Sequence, residues 1–218
     1  MKHSLHTVLT LLFVCASAWG ENVPWQNPQI NEINREPAHA HFIPYTNEAN
    51  ALKQQALPAA QRFAVNPATE RRISLDGTWK FLFSKNNEEC PTDFYKMGYN
   101  TKRWKDIQVP GSWELQGFDS PIYTDVAYPF PANPPHVPTD YNPVGAYVRE
   151  FTVPAHWKGM DIFLDFEGVE SAFYCWVNGE LAGYSEDSRL PAHFNITPFL
   201  KARKNKLCLL YTSDAADE

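Results

Sequence analysis

The sequence predicts an all-β fold, an antiparallel β-sandwich, and three observations carry that expectation. Several short stretches alternate aromatic or branched side chains with polar ones, turn signals separate them at intervals of about ten residues, and no strand–helix–strand rhythm or internal repeat runs through the chain.

The elements follow in chain order. Residues 21–72 are polar, with prolines at 24, 28, 37, 44, 58 and 67, and are expected to form an extended arm with one short helix near 47–56. The β-domain is expected to begin at LDGTWKFLFS, where Asp76-Gly77 makes a turn and Trp79, Phe81 and Phe83 share one face by period two. Residues 88–106 are mixed, with a short helix expected from Thr92, and IQVPGSW is a short strand stopped by Pro110-Gly111. The proline-rich stretch YPFPANPPHVPTDYNPVG excludes a central strand and reads as a stiff loop. Strands resume at AYVREFTVP and at MDIFLDFEGV, where Ile162, Leu164 and Phe166 share a face. SAFYCWVNGELAGY is a hairpin with a type I′ turn at Asn178-Gly179. Asn195 is placed to cap ITPFLKA, and NKLCLL opens a further strand.

The ends of the chain carry separate expectations. Residues 1–20 read as a signal peptide: Lys2 and His3, an apolar run, then Ala16-Ser17-Ala18 as a cleavage site, implying a periplasmic or secreted protein. Beyond that run, no stretch of about 18 apolar residues predicts a membrane span. The peptide CLLYTSDAADE is also what a transposase-type sequencing adapter encodes, so residues 208–218 are expected to be foreign and the last strand of a 73–210 sandwich truncated.

A net charge of −6 offers no basic face for nucleic acid. Cys15 leaves with the signal, and Cys90, Cys175 and Cys208 have neither disulfide-framework nor metal spacing. His39 and His41 could ligate a metal only with partners the sequence does not identify. No nucleophile elbow, zinc-protease, P-loop or dinucleotide motif is present.

Two stretches carry candidate chemistry. GYSEDSRLPAHF sets Glu186 beside Asp187, with Arg189 two residues on. Adjacent residues of an extended chain project to opposite sides, so the pair does not suit a retaining glycosidase, whose two carboxyls stand about 5–5.5 Å apart over one sugar. One carboxylate can instead enter a cleft and accept sugar hydroxyls or a hard cation, or the stretch is a solvated surface loop. In GFDSPIYTDVAYPFPANPP, Tyr123, Tyr128 and Phe130 offer flat faces around Asp125, suited to a sugar or to packing the proline loop against the sandwich.

Taken together, WQNPQINEINREPAHAHFIPY, ISLDGTWKFLF, VPGSWELQGFDSPIYTDVAYPF, NPPHVP and GYSEDSRLPAHFNIT resemble, in order, the N-terminal part of lac-type β-galactosidases of glycoside hydrolase family 2. The resemblance spans about Trp25 to Leu207 and implies an arm followed by a jelly-roll, galactose-binding-domain-like β-sandwich. It implies that Asp187, in the place of the family's Gln-Asp-Ser-Arg-Leu-Pro aspartate, reaches galactose and a sodium ion, with Glu186 replacing the glutamine. Asp125 stands where the family has a galactose-contacting asparagine, which removes two N–H donors and adds a charge. The family's catalytic glutamates and magnesium ligands lie in a C-terminal (β/α)₈ barrel, so no acid here is expected to hold those roles. The partners implied are a β-galactoside or galactose-containing glycan, the missing C-terminal domains, and other copies in a homo-oligomer of the full-length form. Two other readings are a stand-alone carbohydrate-binding module and a part of a β-glucuronidase or β-mannosidase; the Ser-Arg-Leu-Pro and Tyr-Thr-Asp-Val stretches favour the galactosidase branch.

Overall fold

The computed structural model describes residues 23–58, 71–120, 131, 133 and 136–212. The signal-peptide and glycan-loop readings, including Asp125, Tyr123, Tyr128 and Phe130, lie outside the described residues.

Among the described residues the chain forms an antiparallel sandwich, as the alternation predicts. The strands are β1 (Glu32–Ile33), β2 (Gly77–Ser84), β3 (Lys105–Val109), β4 (Val144–Thr152), β5 (Phe163–Phe166), β6 (Ala172–Val177), β7 (Glu180–Glu186), β8 (Ala192–Asn195) and β9 (Lys204–Thr212). A seven-stranded sheet runs β1-β7-β6-β9-β4-β2-β3, and a two-stranded sheet pairs β5 with β8. One helix, α1 (Glu48–Gln55), lies in the arm, and the Asn47 side chain accepts from the Asn50 N–H to cap it.

Alternation sorts side chains between two cores. Trp79 and Phe81 of β2 are 4% and 1% exposed and face the β5–β8 layer with Phe173, Phe194, Leu207 and Leu209. The opposite face holds Ala172, Tyr174, Trp176 and Cys208, covered by Trp25 of the arm and by Phe94 and Trp104. β6 is therefore buried along its whole length, because each of its faces has a cover. The β6–β7 hairpin turns at Asn178 and Gly179 with φ of 56° and 96°, the left-handed pair a type I′ turn requires.

Three elements differ from expectation. The arm is not merely extended: β1 adds an edge strand to the sheet, pairing Glu32 with Ser185 and Ile33 with Tyr184. No helix forms after Thr92; the segment is a series of turns held by Phe94 and Trp104 in the core. β9 runs through Thr212 and pairs with both β4 and β6, so it occupies the interior of the sheet.

Candidate functional site

β7 delivers the acidic pair. Its alternation carries Tyr184 and Glu186 into one core face, and Glu186 is 7% exposed. The Tyr184 hydroxyl donates to Glu186 Oε1 at 2.5 Å, inside the protein. Glu186 is thus committed to packing chemistry, which removes it from any open cleft.

Asp187 is handled differently by the backbone. Its φ of 90° turns the chain out of the strand, and the side chain is half-buried. Oδ1 accepts the backbone N–H of Arg189 at 2.8 Å and of Leu190 at 3.1 Å. These bonds fix the carboxylate as an Asx turn and leave Oδ2 with no hydrogen-bond partner among the described residues. The expected neighbour Arg189 therefore contributes its backbone, not its guanidinium, to Asp187.

The arm secures the root of this turn. Glu186 N–H donates to the Asn31 carbonyl at 3.0 Å, and Arg35 Nη1 donates to Ser185 Oγ at 3.0 Å. Arg35 is itself held by Glu32 at 2.6 Å, and the Glu36 N–H donates to the His193 carbonyl at 2.9 Å. From the other side, the Ser188 carbonyl lies 3.1 Å from where a Cβ on Gly168 would sit, so the turn abuts a glycine. Sequence reasoning singled out Asp187 as a candidate but not these arm residues, because a two-residue strand leaves no period to read.

The described residues do not build a metal centre. No three His, Cys, Asp or Glu side chains converge among them, so Asp187 is a single carboxylate donor and the residues in view do not by themselves fit a sodium site. His39 and His41 likewise gain no ligand set. His39 instead stacks on His193 with ring centroids 4.2 Å apart, and His193 Nδ1 lies 3.4 Å from Asp165 Oδ1. Burial lowers the His193 imidazole below its ordinary pKa, opposed by the charge of Asp165. No described helix is long and apolar enough to cross a membrane.

Comparison with known proteins fits this geometry. The chain is 42% identical over 187 residues to a β-galactosidase of Priestia megaterium, covering 84% of this chain and 17% of that protein. It is 40% identical over 193 residues to a β-galactosidase of Halalkalibacterium halodurans, covering 86% of this chain and 18% of that one. The chain thus spans less than a fifth of the length of these relatives. Among solved structures, a β-glucuronidase from Ruminococcus gnavus superposes with a TM-score of 0.50 at 23% identity, covering 68% of this chain and 23% of that one, a likeness of fold alone. The profile of the glycosyl hydrolases family 2 sugar binding domain matches residues 73–215. An antiparallel sandwich with that profile, preceded by an arm that pins an outward-turned aspartate, belongs to glycoside hydrolase family 2 as its N-terminal sugar-binding domain.

Proposed function

We propose that this domain serves a β-galactosidase whose full-length form hydrolyses terminal non-reducing β-D-galactose residues with retention, and that Asp187 is its accessory sugar ligand. The observation that carries the reading is the fixed Asx turn: Oδ1 is spent on two backbone N–H groups, so Oδ2 is held ready to accept a sugar hydroxyl without a further loss of side-chain freedom. Similarity of 42% and 40% to β-galactosidases supports the galactoside class.

Chemistry is assigned elsewhere in the full-length protein. Retention needs a nucleophile and an acid/base carboxyl on opposite sides of the scissile bond. Glu186 supplies neither, since its carboxyl is buried against the Tyr184 hydroxyl. The two catalytic glutamates and the magnesium ligands belong, by family resemblance, to a (β/α)₈ barrel. Asp125 is proposed as a second sugar contact. Sodium is proposed only as an ion that Asp187 would share with groups from other domains. Export follows from the signal-like residues 1–20.

The test is kinetic. In the full-length enzyme, Asp187→Asn is expected to raise KM for nitrophenyl β-galactoside at least tenfold, because a hydroxyl loses a charged acceptor worth about 1.5–3 kcal/mol. The 218-residue chain alone is expected to give no turnover. An unchanged KM in the variant, or preferred turnover of the nitrophenyl glucuronide, overturns the reading. Galactose binding by the isolated chain in calorimetry would favour the binding-module alternative.

A further inference from the structure

The loop that carries Asp187 joins β7 to β8 across residues 187–191, and the arm is tied to both of its stems. On the β7 stem, the Asn31 carbonyl accepts the Glu186 N–H at 3.0 Å, and Arg35 Nη1 donates to Ser185 Oγ at 3.0 Å. On the β8 stem, the Glu36 N–H donates to the His193 carbonyl at 2.9 Å. The His39 ring then lies on the His193 ring, with centroids 4.2 Å apart and planes 28° from parallel. Residues 31–39 therefore form a strap across the base of the loop, and its last fastening is a pair of imidazoles.

The groups that face His193 divide between the two sides of this joint. From β5, Asp165 Oδ1 lies 3.4 Å from His193 Nδ1, and Arg72 Nη2 lies 3.9 Å from Asp165 and 2.9 Å from Glu167. From the arm come His39, His41 and Glu36. Burial is the largest influence on His193 and disfavours its charged form, as do His39 and His41; Asp165 and, most weakly, Glu36 favour it. The anion that steadies a protonated His193 thus belongs to the sandwich and stays when the arm leaves. The ring that covers His193, and both imidazoles that repel its charge, leave with the arm. Undocking therefore raises the proton affinity of His193, and by linkage a proton on His193 favours undocking.

We propose that residues 31–39 are a proton-operated strap on the Asp187 loop: neutral His39 and His193 hold the arm across both stems, and protonation of the pair lifts the arm and loosens the grip of Asp187 on sugar. This rests on the reading of Asp187 as a sugar ligand. Freed from Asn31 and Arg35, Asp187 keeps its Oδ1 bonds to the Arg189 and Leu190 N–H groups but loses the fixed stem that aims it. Sugar binding and arm docking are then reciprocal, each favouring the other. His39 is a positioning residue, since it touches His193 and acts on Asp187 only through the strap.

The experiment reads arm opening in the full-length enzyme as the rate of thermolysin cleavage before Ile33, divided by the rate for an unstructured peptide of residues 27–39 at the same pH. Without sugar, lowering the pH from 7.5 to 5.5 is expected to speed this cut at least about fivefold, against a ceiling of about tenfold for one proton of ordinary pKa 6.5, while residues 77–207 stay intact. His193→Gln takes no proton there and is expected to hold the change below about twofold. His39→Ala, at an exposed position, removes the cover and is expected to speed the cut already at pH 7.5. A parent cut that ignores pH, an equal pH dependence in His193→Gln, an unchanged rate in His39→Ala, or cleavage within 77–207 that keeps pace with the arm overturns the proposal. At pH 5.5, saturating isopropyl thio-β-galactoside is expected to slow the parent's cut at least about fivefold and to lose that effect in Asp187→Asn. No protection in the parent, or equal protection in Asp187→Asn, overturns the link to Asp187. The pH comparison is made without sugar, and the KM of Asp187→Asn is measured without the protease, so the strap and the sugar ligand fail separately.

Discussion

Tyr184 and Glu186 sit two residues apart on one strand, and the phenol hydroxyl of the first donates to the carboxyl of the second at 2.5 Å in the interior. The pair explains why adjacent acids have opposite fates: the strand that buries Tyr184 must bury Glu186 and turn Asp187 away.

Tyr184→Phe is expected to destabilise the protein by about 1.5–3 kcal/mol, since it strips a buried carboxyl of a hydrogen-bond donor. Glu186→Gln retains an acceptor for the hydroxyl and is expected to stay within about 1 kcal/mol of the parent. Urea unfolding of the two variants checks the order; equal losses would show that the hydroxyl bond is not what holds the site.

Asp187→Ala is expected to destabilise more than Asp187→Gly. Both lose the two Oδ1 bonds, but only Ala keeps a Cβ at a φ of 90°, which Gly tolerates better by about 1 kcal/mol. Thermal midpoints of the pair provide the measurement.

Gly183→Ala is expected to be severe. The added Cβ would lie 2.2 Å from Phe194 Cε1 and 2.7 Å from the Ile33 carbonyl, so either the core or the arm must give way. A loss of about 1–3 kcal/mol, with faster proteolysis between residues 27 and 36, is the expected outcome.

Acid should weaken the domain through His193. Burial holds this imidazole below its ordinary value of 6.5, with His39 and His41 acting in the same direction and Asp165 and Glu36 opposing. A depressed histidine is neutral in the folded state and binds its proton more readily when unfolded. Its contribution is therefore complete above about pH 6.5 and is lost as pH falls below that value. His193→Gln should flatten the dependence of the urea midpoint on pH between 8 and 5.5.

The thiols should be inert at pH 8. Burial pushes Cys90 up to about 11 and Cys208 to about 12, and raises Cys175 as well. Peptide mapping after iodoacetamide should find these three unmodified in the native protein and labelled in denaturant; native labelling of Cys175 would contradict its position in the core.

Legibility followed local physics. Trp79 and Phe81, the Asn178-Gly179 turn and the Asn47 cap each depend on a period or a φ that a few neighbouring residues set, and each is where the alternation or turn chemistry puts it. The motif makes Asp187 a candidate, but its φ of 90° and backbone bonds depend on where β7 ends. β1 was illegible because two residues have no period, and their pairing is fixed only by strand β7, some 150 positions away, as in Arg35 to Ser185. The turns after Thr92 are not legible locally, because the burial of Phe94 and Trp104 in the core, and no sequence period, sets their course.

That separation sets an order on biosynthesis. The arm leaves the ribosome ahead of the sandwich strands, yet the groups it binds, at Tyr184, Ser185, Glu186 and His193, emerge about 150 residues later. At about 5–20 residues per second, the arm waits roughly 8–30 s for its partner strand. The turn bearing Asp187 is thus fastened near the close of the domain's synthesis, by the segment that has been waiting longest.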